Sequence, residues 1–307
     1  MDPLSALLGA GPAALDGGLA SELEARGHDL TGTLWSARLL REDPAAIRSV
    51  HADYFRAGAR VGISSSYQAS RAGFAAHGID ADEADRLLAL SVELVRQARD
   101  QVLAEGVPGP FLVAASVGPY GAILHDGSEY RGCYGLSHDE LIRFHAERLE
   151  VLVAAGPDLL AVETIPDVDE ARALADACAQ AGAGVPAWIS FSCCDDGHTC
   201  SGQAIEEAAA LAATSEAFSA IGVNCTRPEH ILGLIRRIRS AEPQLPVVVY
   251  PNAGRVWDGD AAEWLGEGMD VLPAAAVRDW FDAGATLVGG CCGLGPAAVR
   301  GIAAIAG

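Results

Sequence analysis

Eight short apolar runs, separated by longer segments of helical periodicity, constrain this chain more than any other feature. The runs end near Asp16, Ser66, Val117, Glu163, Ser192, Asn224, Tyr250 and Gly289. The clearest are 111–117, 159–162, 220–223 and 287–289, with Ala187–Phe191 and Val247–Tyr250. They are almost continuously apolar, as strands are when both faces of a parallel sheet are covered. Between them, 82–105, 138–155 and Pro228–Ala241 carry apolar residues at helical spacing. Ser137 ahead of His138-Asp139-Glu140 and Asp167 ahead of Asp169-Glu170 mark helix starts, while Pro157 and Pro246 punctuate the approach to strands. Eight such units predict a closed α/β barrel, (βα)8 of the TIM type. No Ser- or Pro-rich linker divides the chain, so the expectation is a single domain over 1–307.

That fold hosts many chemistries, and residue types must choose among them. The formal net charge of -20 excludes partners that are recognised through clustered cations, namely nucleic acid and anionic membrane. All 21 basic residues are Arg. Without a Lys amine there is no Schiff-base or pyridoxal-phosphate chemistry and no ordinary phosphate-binding P-loop. The first residues, 1–18, are apolar but lack a positive leader region, and no apolar run reaches the ~18 residues that a membrane span needs. A soluble cytoplasmic protein is therefore expected, monomeric by default, with its eight Cys as reduced thiols.

In a (βα)8 barrel, residues that follow the strands converge on one mouth, where the active site sits. Asp16, Tyr67, Glu163, Cys193, Cys225, Asn252 and Cys291 all occupy such positions. Asn224-Cys225-Thr226 ends the sixth run and Gly289-Gly290-Cys291-Cys292-Gly293 the eighth, which brings three thiols to one place. Three thiolates suit zinc and leave its fourth position open for a substrate. Ordinary buried thiols, or a redox disulfide between Cys291 and Cys292, are the competing readings. Cys193, Cys194 and Cys200, with Asp195, Asp196 and His198, lie in one short loop and read as polar surface; Cys133 and Cys178 have no partner spacing. The segment 118–135 is the longest without periodicity and reads as a lid.

Seven strings in order resemble the homocysteine S-methyltransferase family nearly end to end. They are Asp16-Gly17-Gly18-Leu19-Ala20-Ser21-Glu22-Leu23-Glu24, Ser66-Tyr67-Gln68-Ala69-Ser70, Val117-Gly118-Pro119-Tyr120-Gly121, Glu163-Thr164-Ile165-Pro166, Gly222-Val223-Asn224-Cys225-Thr226, Tyr250-Pro251-Asn252-Ala253-Gly254 and the Gly-Gly-Cys-Cys-Gly run. The resemblance implies that Cys225, Cys291 and Cys292 bind zinc with a homocysteine thiol as fourth ligand. It implies that Asp16 and Glu163 hold the homocysteine ammonium, with Tyr67 and Asn224 also binding substrate. Tyr67, Tyr120 or Tyr250 would offer the aromatic face that attracts a sulfonium. S-methylmethionine, with S-adenosylmethionine as substitute, is the implied donor. Serines at 64–66 and Cys133 depart from the family pattern and bear on the donor pocket. Selenocysteine or another thiol as acceptor is the close alternative; a zinc-binding or thiol-redox protein without methyl transfer is the distant one.

Overall fold

The structure, a computed structural model, describes residues 3–30, 35–181, 184–258 and 263–307. Eight strands form its sheet: Ala13–Ala14, Val61–Ile63, Leu112–Val117, Leu159–Ile165, Ala187–Phe191, Ala220–Asn224, Val247–Tyr250 and Ala285–Val288. From the second to the eighth, each pairs in parallel with the next, and the eighth pairs with the first through Ala13 and Leu287. A bridge between Leu15 and Val61 closes the ring, reinforced by the Arg60 N–H donating to the Ala14 carbonyl at 2.7 Å. The expected (βα)8 barrel is the fold. Its strand ends match the sequence reading closely, Ser66 against Ile63 being the widest gap.

The connecting helices start where the cap residues predict. Ser137 makes a capping box with Glu140 at the head of His138–Ala154, and the Asp167 carboxylate accepts the Glu170 N–H at 2.7 Å ahead of Val168–Ala181. Elements outside the regular strand–helix alternation include a helix Pro3–Gly9 ahead of the first strand, and an antiparallel ribbon of Val256–Asp258 with Glu263–Leu265 after the seventh. Among the described residues no helix is long and apolar enough to cross a membrane.

Alternation along each strand sorts the core into two parts. Outward residues such as Val113, Leu160, Ile189 and Val249 pack under the helices. Inward residues near the strand starts, including Val61, Leu159, Ala220 and Leu287, form a separate cluster with Leu4 and Leu7, so the first helix plugs the floor of the barrel. Two residues further along the same inward register the chain turns polar. Ala114 gives way to Ser116, Ala161 to Glu163, Trp188 to Ser190, and Ala220 through Gly222 to Asn224, all buried. The Tyr250 hydroxyl bonds Trp188 Nε1 at 3.1 Å and Ser190 Oγ at 2.5 Å and forms the boundary between the two layers.

Candidate metal centre and active site

Cys225 and the Cys291-Cys292 pair meet because both are fastened to the segment that follows the seventh strand. The Cys225 N–H donates to the Tyr250 carbonyl at 3.1 Å, the Cys291 N–H to Pro251 at 2.8 Å, and the Ala253 N–H to Cys292 at 2.8 Å. Two glycines make the approach possible. A Cβ on Gly289 would stand 2.7 Å from the Asp16 carbonyl; Gly293, at φ +83°, would place one 2.6 Å from the Ala253 side chain. Cys225 itself is left-handed at φ 47°, a conformation that a non-glycine residue adopts only where its surroundings enforce it.

The Cys292 sulfur lies 3.7 Å from that of Cys225 and 3.9 Å from that of Cys291. Three sulfurs about 2.3 Å from one tetrahedral zinc would stand about 3.8 Å apart, so two of the three edges already have the right length. The third is shorter: Cys225 and Cys291 are joined as a disulfide. This corrects the expectation that all eight Cys are reduced, and the pairing is not the vicinal one. Side chains that converge on one point from two strand ends are as well placed to bond each other as to share an ion. Burial pushes the Cys292 thiol up to about 12, with the carboxylates of Glu24, Glu163 and Glu129 adding to the effect. With Cys225 and Cys291 reduced, three sulfur donors at this spacing fit a soft dication. Among the described residues these three Cys are the only trio of His, Cys, Asp or Glu ligands within reach of one ion.

Beside the sulfurs stand the two predicted carboxylates. Asp16 is buried and its Oδ2 accepts the Ile63 N–H at 2.6 Å, so the side chain continues the seam between the first two strands. Burial and the nearby Glu163 charge raise its pKa well above the usual range. Glu163 accepts from Ser116 Oγ, lies within hydrogen-bonding reach of Tyr250, and is pushed by burial up to about 7. Carboxyls held this way favour a cationic partner that restores their charge. Asn224 is a brace: its Oδ1 accepts the Thr164 N–H and its Nδ2 donates to Thr164 Oγ1, both at 2.7 Å. It thereby fixes Thr164 at φ 61°, immediately after Glu163. The serines at 64–66 are largely structural, since the Ser64 and Ser66 hydroxyls bond each other and the Ser116 backbone.

Of the three aromatic candidates, Tyr67 is the one that feels the charges of Glu129, Glu163 and Cys292 together, while Tyr250 meets the Glu163 carboxyl from below. Tyr250 belongs to the barrel interior, and Tyr120 packs against Tyr134 and Phe144. Tyr130, which the sequence did not single out, shares the Cys292 and Glu129 environment with Tyr67. Segment 118–135 carries it and is anchored from below by a buried network. Arg148 donates to the Gly118 carbonyl and to His145 Nδ1, and the opposite ring nitrogen of His145 bonds Glu170 at 2.9 Å. Glu170 also accepts the Tyr120 N–H at 2.6 Å and the Tyr134 hydroxyl at 3.0 Å. None of these three ionisable residues announces itself in sequence, because helical positions facing inward look apolar only on average.

The second cysteine group is not the loose surface loop expected. Bridges between Cys193 and Thr199 and between His198 and Ala204 make it a small hairpin, with Cys193 buried. His198 bonds Asp195 at 3.0 Å, and no trio of ligands gathers there among the described residues. Cys178 is an ordinary core thiol and Cys133 is exposed. Next to Cys292 a cavity of about 210 Å³ opens between Ser21, Glu24, Arg255 and Asp270, giving small molecules a way to the sulfurs.

Known proteins resemble this chain along nearly its whole length. The homocysteine S-methyltransferase family model matches residues 13–306. Homocysteine S-methyltransferase 4 of Zea mays is 46% identical over 95% of this chain and 89% of its own. The homocysteine methyltransferase MmuM of Escherichia coli superimposes in its metallated form with a TM-score of 0.89 at 43% identity, covering 99% of both chains. Its oxidized form superimposes equally well, with a TM-score of 0.89 at 42% identity and the same coverage. The chain belongs to the homocysteine S-methyltransferase family.

Proposed function

We propose that this chain transfers a methyl group from a sulfonium donor, S-methylmethionine or in its place S-adenosylmethionine, to the thiol of homocysteine, giving methionine. The observation that carries the reading is the sulfur trio at the mouth of a barrel of this family, with two buried carboxylates beside it. Cys225, Cys291 and Cys292 in their thiolate form would hold zinc, with the substrate thiol completing the set. When bound, zinc supplies the positive charge that keeps that thiol ionised at neutral pH. Asp16 and Glu163 receive the homocysteine ammonium, Asn224 keeps Glu163 in place through Thr164, and the Tyr67 ring faces the donor. The thiolate sulfur forms the new bond to carbon as the sulfonium–methyl bond breaks, and the donor leaves as a neutral thioether. No residue needs to move a proton in that step; the barrel aligns the two sulfurs and excludes water. One cytoplasmic, monomeric barrel domain over 1–307 would suffice.

The Cys225–Cys291 bond favours a second reading, a thiol-redox or zinc-holding protein without methyl transfer. That reading gives Asp16 and Glu163 nothing to do. Protein purified anaerobically and loaded with zinc should form methionine from S-methylmethionine and homocysteine. Absence of turnover with every sulfonium and thiol or selenol pair, despite one bound zinc per chain, would leave the second reading standing.

A further inference from the structure

Segment 118–135 folds back on the barrel, and its turn Ser128–Tyr130 packs on the fourth strand. Gly121 makes the crossing tight, since a Cβ there would lie 2.4 Å from the Glu129 nitrogen. The turn drives Glu129 below the surface, at 4% exposure, and leaves its Oε2 without a hydrogen-bond partner. The other buried acids nearby are satisfied: Asp16 by Ile63, Glu163 by Ser116, and Glu170 by Tyr120, Tyr134 and His145. Among the described residues Glu129 holds the only buried carboxylate oxygen with no partner. Arg131 spends its hydrogen bonds on Asp126 and reaches Glu129 only through its charge, which does not offset the burial that raises the Glu129 carboxyl to about 7. A buried carboxylate oxygen left open beside a site is complementary to a cation.

Its neighbours indicate which cation. Tyr67 and Tyr130 each lie within electrostatic range of Glu129 and Cys292, and the turn that carries Glu129 and Tyr130 packs on the fourth strand, which holds Glu163. Rings with a carboxylate are the usual surroundings of an onium group. Homocysteine carries one ammonium, balanced by its own carboxylate; an amino-acid sulfonium carries one positive charge more. The reading above already assigns Asp16 and Glu163, on the first and fourth strand ends, to the acceptor. Glu129, from the segment after the third strand, is the buried carboxylate that remains, since Glu24, which also acts on Cys292, is exposed.

We propose that Glu129 is the counter-ion of the methyl donor, receiving the excess positive charge of a sulfonium amino acid between Tyr67 and Tyr130. The inference rests on the methyl-transfer reading. The donor loses this charge as its methyl leaves, so Glu129 favours the bound donor over the transition state. Its removal should therefore weaken donor binding without slowing the chemistry.

The experiment is steady-state kinetics of the zinc-loaded wild type and of Glu129→Gln, varying S-methylmethionine and homocysteine independently. The expected result is a donor KM raised roughly tenfold to a hundredfold, as for loss of a charged hydrogen bond. The homocysteine KM should stay within about twofold and kcat should be kept or slightly raised. Glu129→Asp, which keeps the charge one methylene further back, should fall between, and it decides the matter should Glu129→Gln not fold. An unchanged donor KM, or a rise in the homocysteine KM instead, would overturn the inference. If the wild type itself turns over no sulfonium, the parent reading fails; if it does and the variants match it, only this inference fails.

Discussion

The floor and the mouth of the barrel are built from the same strands, yet they obey opposite rules. At the floor Leu4, Leu7, Leu15, Val61, Leu159 and Leu287 are buried among apolar neighbours. At the mouth, within a few residues on the same strands, Asp16 and Glu163 are buried as acids, and Thr164 and Cys225 are held left-handed. Some unpartnered buried atoms lie there too: Ser65 Oγ, Gln68 Oε1 and Glu129 Oε2 follow the strand ends or the turn above them. Burying such groups costs stability, and a fold tolerates it only where the rest of the structure is secure. Stability is concentrated at one end of the barrel and chemistry at the other.

The sharpest way to break that division is to remove a sulfur. Cys292→Ser should release the zinc and lower methionine formation by about 1000-fold or more, with thermal stability nearly unchanged. Elemental analysis and assay of anaerobic protein, repeated for Cys225→Ser and Cys291→Ser, check this; retained zinc would show that the mouth is no metal centre. The converse change is Leu159→Ala at the floor. It should cost about 2–5 kcal/mol in denaturant titration while leaving kcat of the folded fraction intact, and a collapse of kcat would show that the two ends are not separable.

A third test concerns the sign of the mouth's contribution to stability. The Glu163 carboxyl is raised from 4.5 to about 7 in the folded protein. The folded chain therefore binds this proton before the unfolded chain does, and stability falls as pH rises from about 4.5 to about 7. The effect of this one group is at most about 3 kcal/mol. Glu163→Gln should flatten the pH dependence of the melting temperature of the metal-free protein and raise the homocysteine KM roughly tenfold. A slope left intact would place the titrating group elsewhere. The smallest effect is expected at the second cysteine group, where Cys194→Ser should change stability by less than about 0.5 kcal/mol and leave the zinc content as it was.

Much of the barrel was legible because parallel strands covered on both faces leave continuous apolar runs, and those ending at Val117, Asn224 and Tyr250 end where the structure ends them. The ribbon Val256–Asp258 escaped because two three-residue strands have too little sequence for a period to show. The sulfur trio was legible because glycines flank Cys291-Cys292 and a strand end precedes Cys225. Which sulfurs bond each other was not, since spacing along the chain carries no distance across it. Glu129 was missed for a related reason. Beside Asp126, Ser128 and Arg131 it looks like one more solvated charge, and only the packing of its turn against the fourth strand buries it.

The Asp16 bond to the Ile63 amide has one more consequence. In a parallel ladder the rung after Leu15 and Val61 would be backbone to backbone, but here a side chain supplies it. The barrel is thus hooped at its weakest join by the group that, on the proposed reading, also meets the acceptor's ammonium. Whatever grips Asp16 tightens the hoop, and by reciprocity whatever loosens the hoop weakens the grip. On that reading the acceptor would be a rivet as well as a reactant, and exchange of the Ile63 amide proton with solvent would gauge whether the rivet is in place.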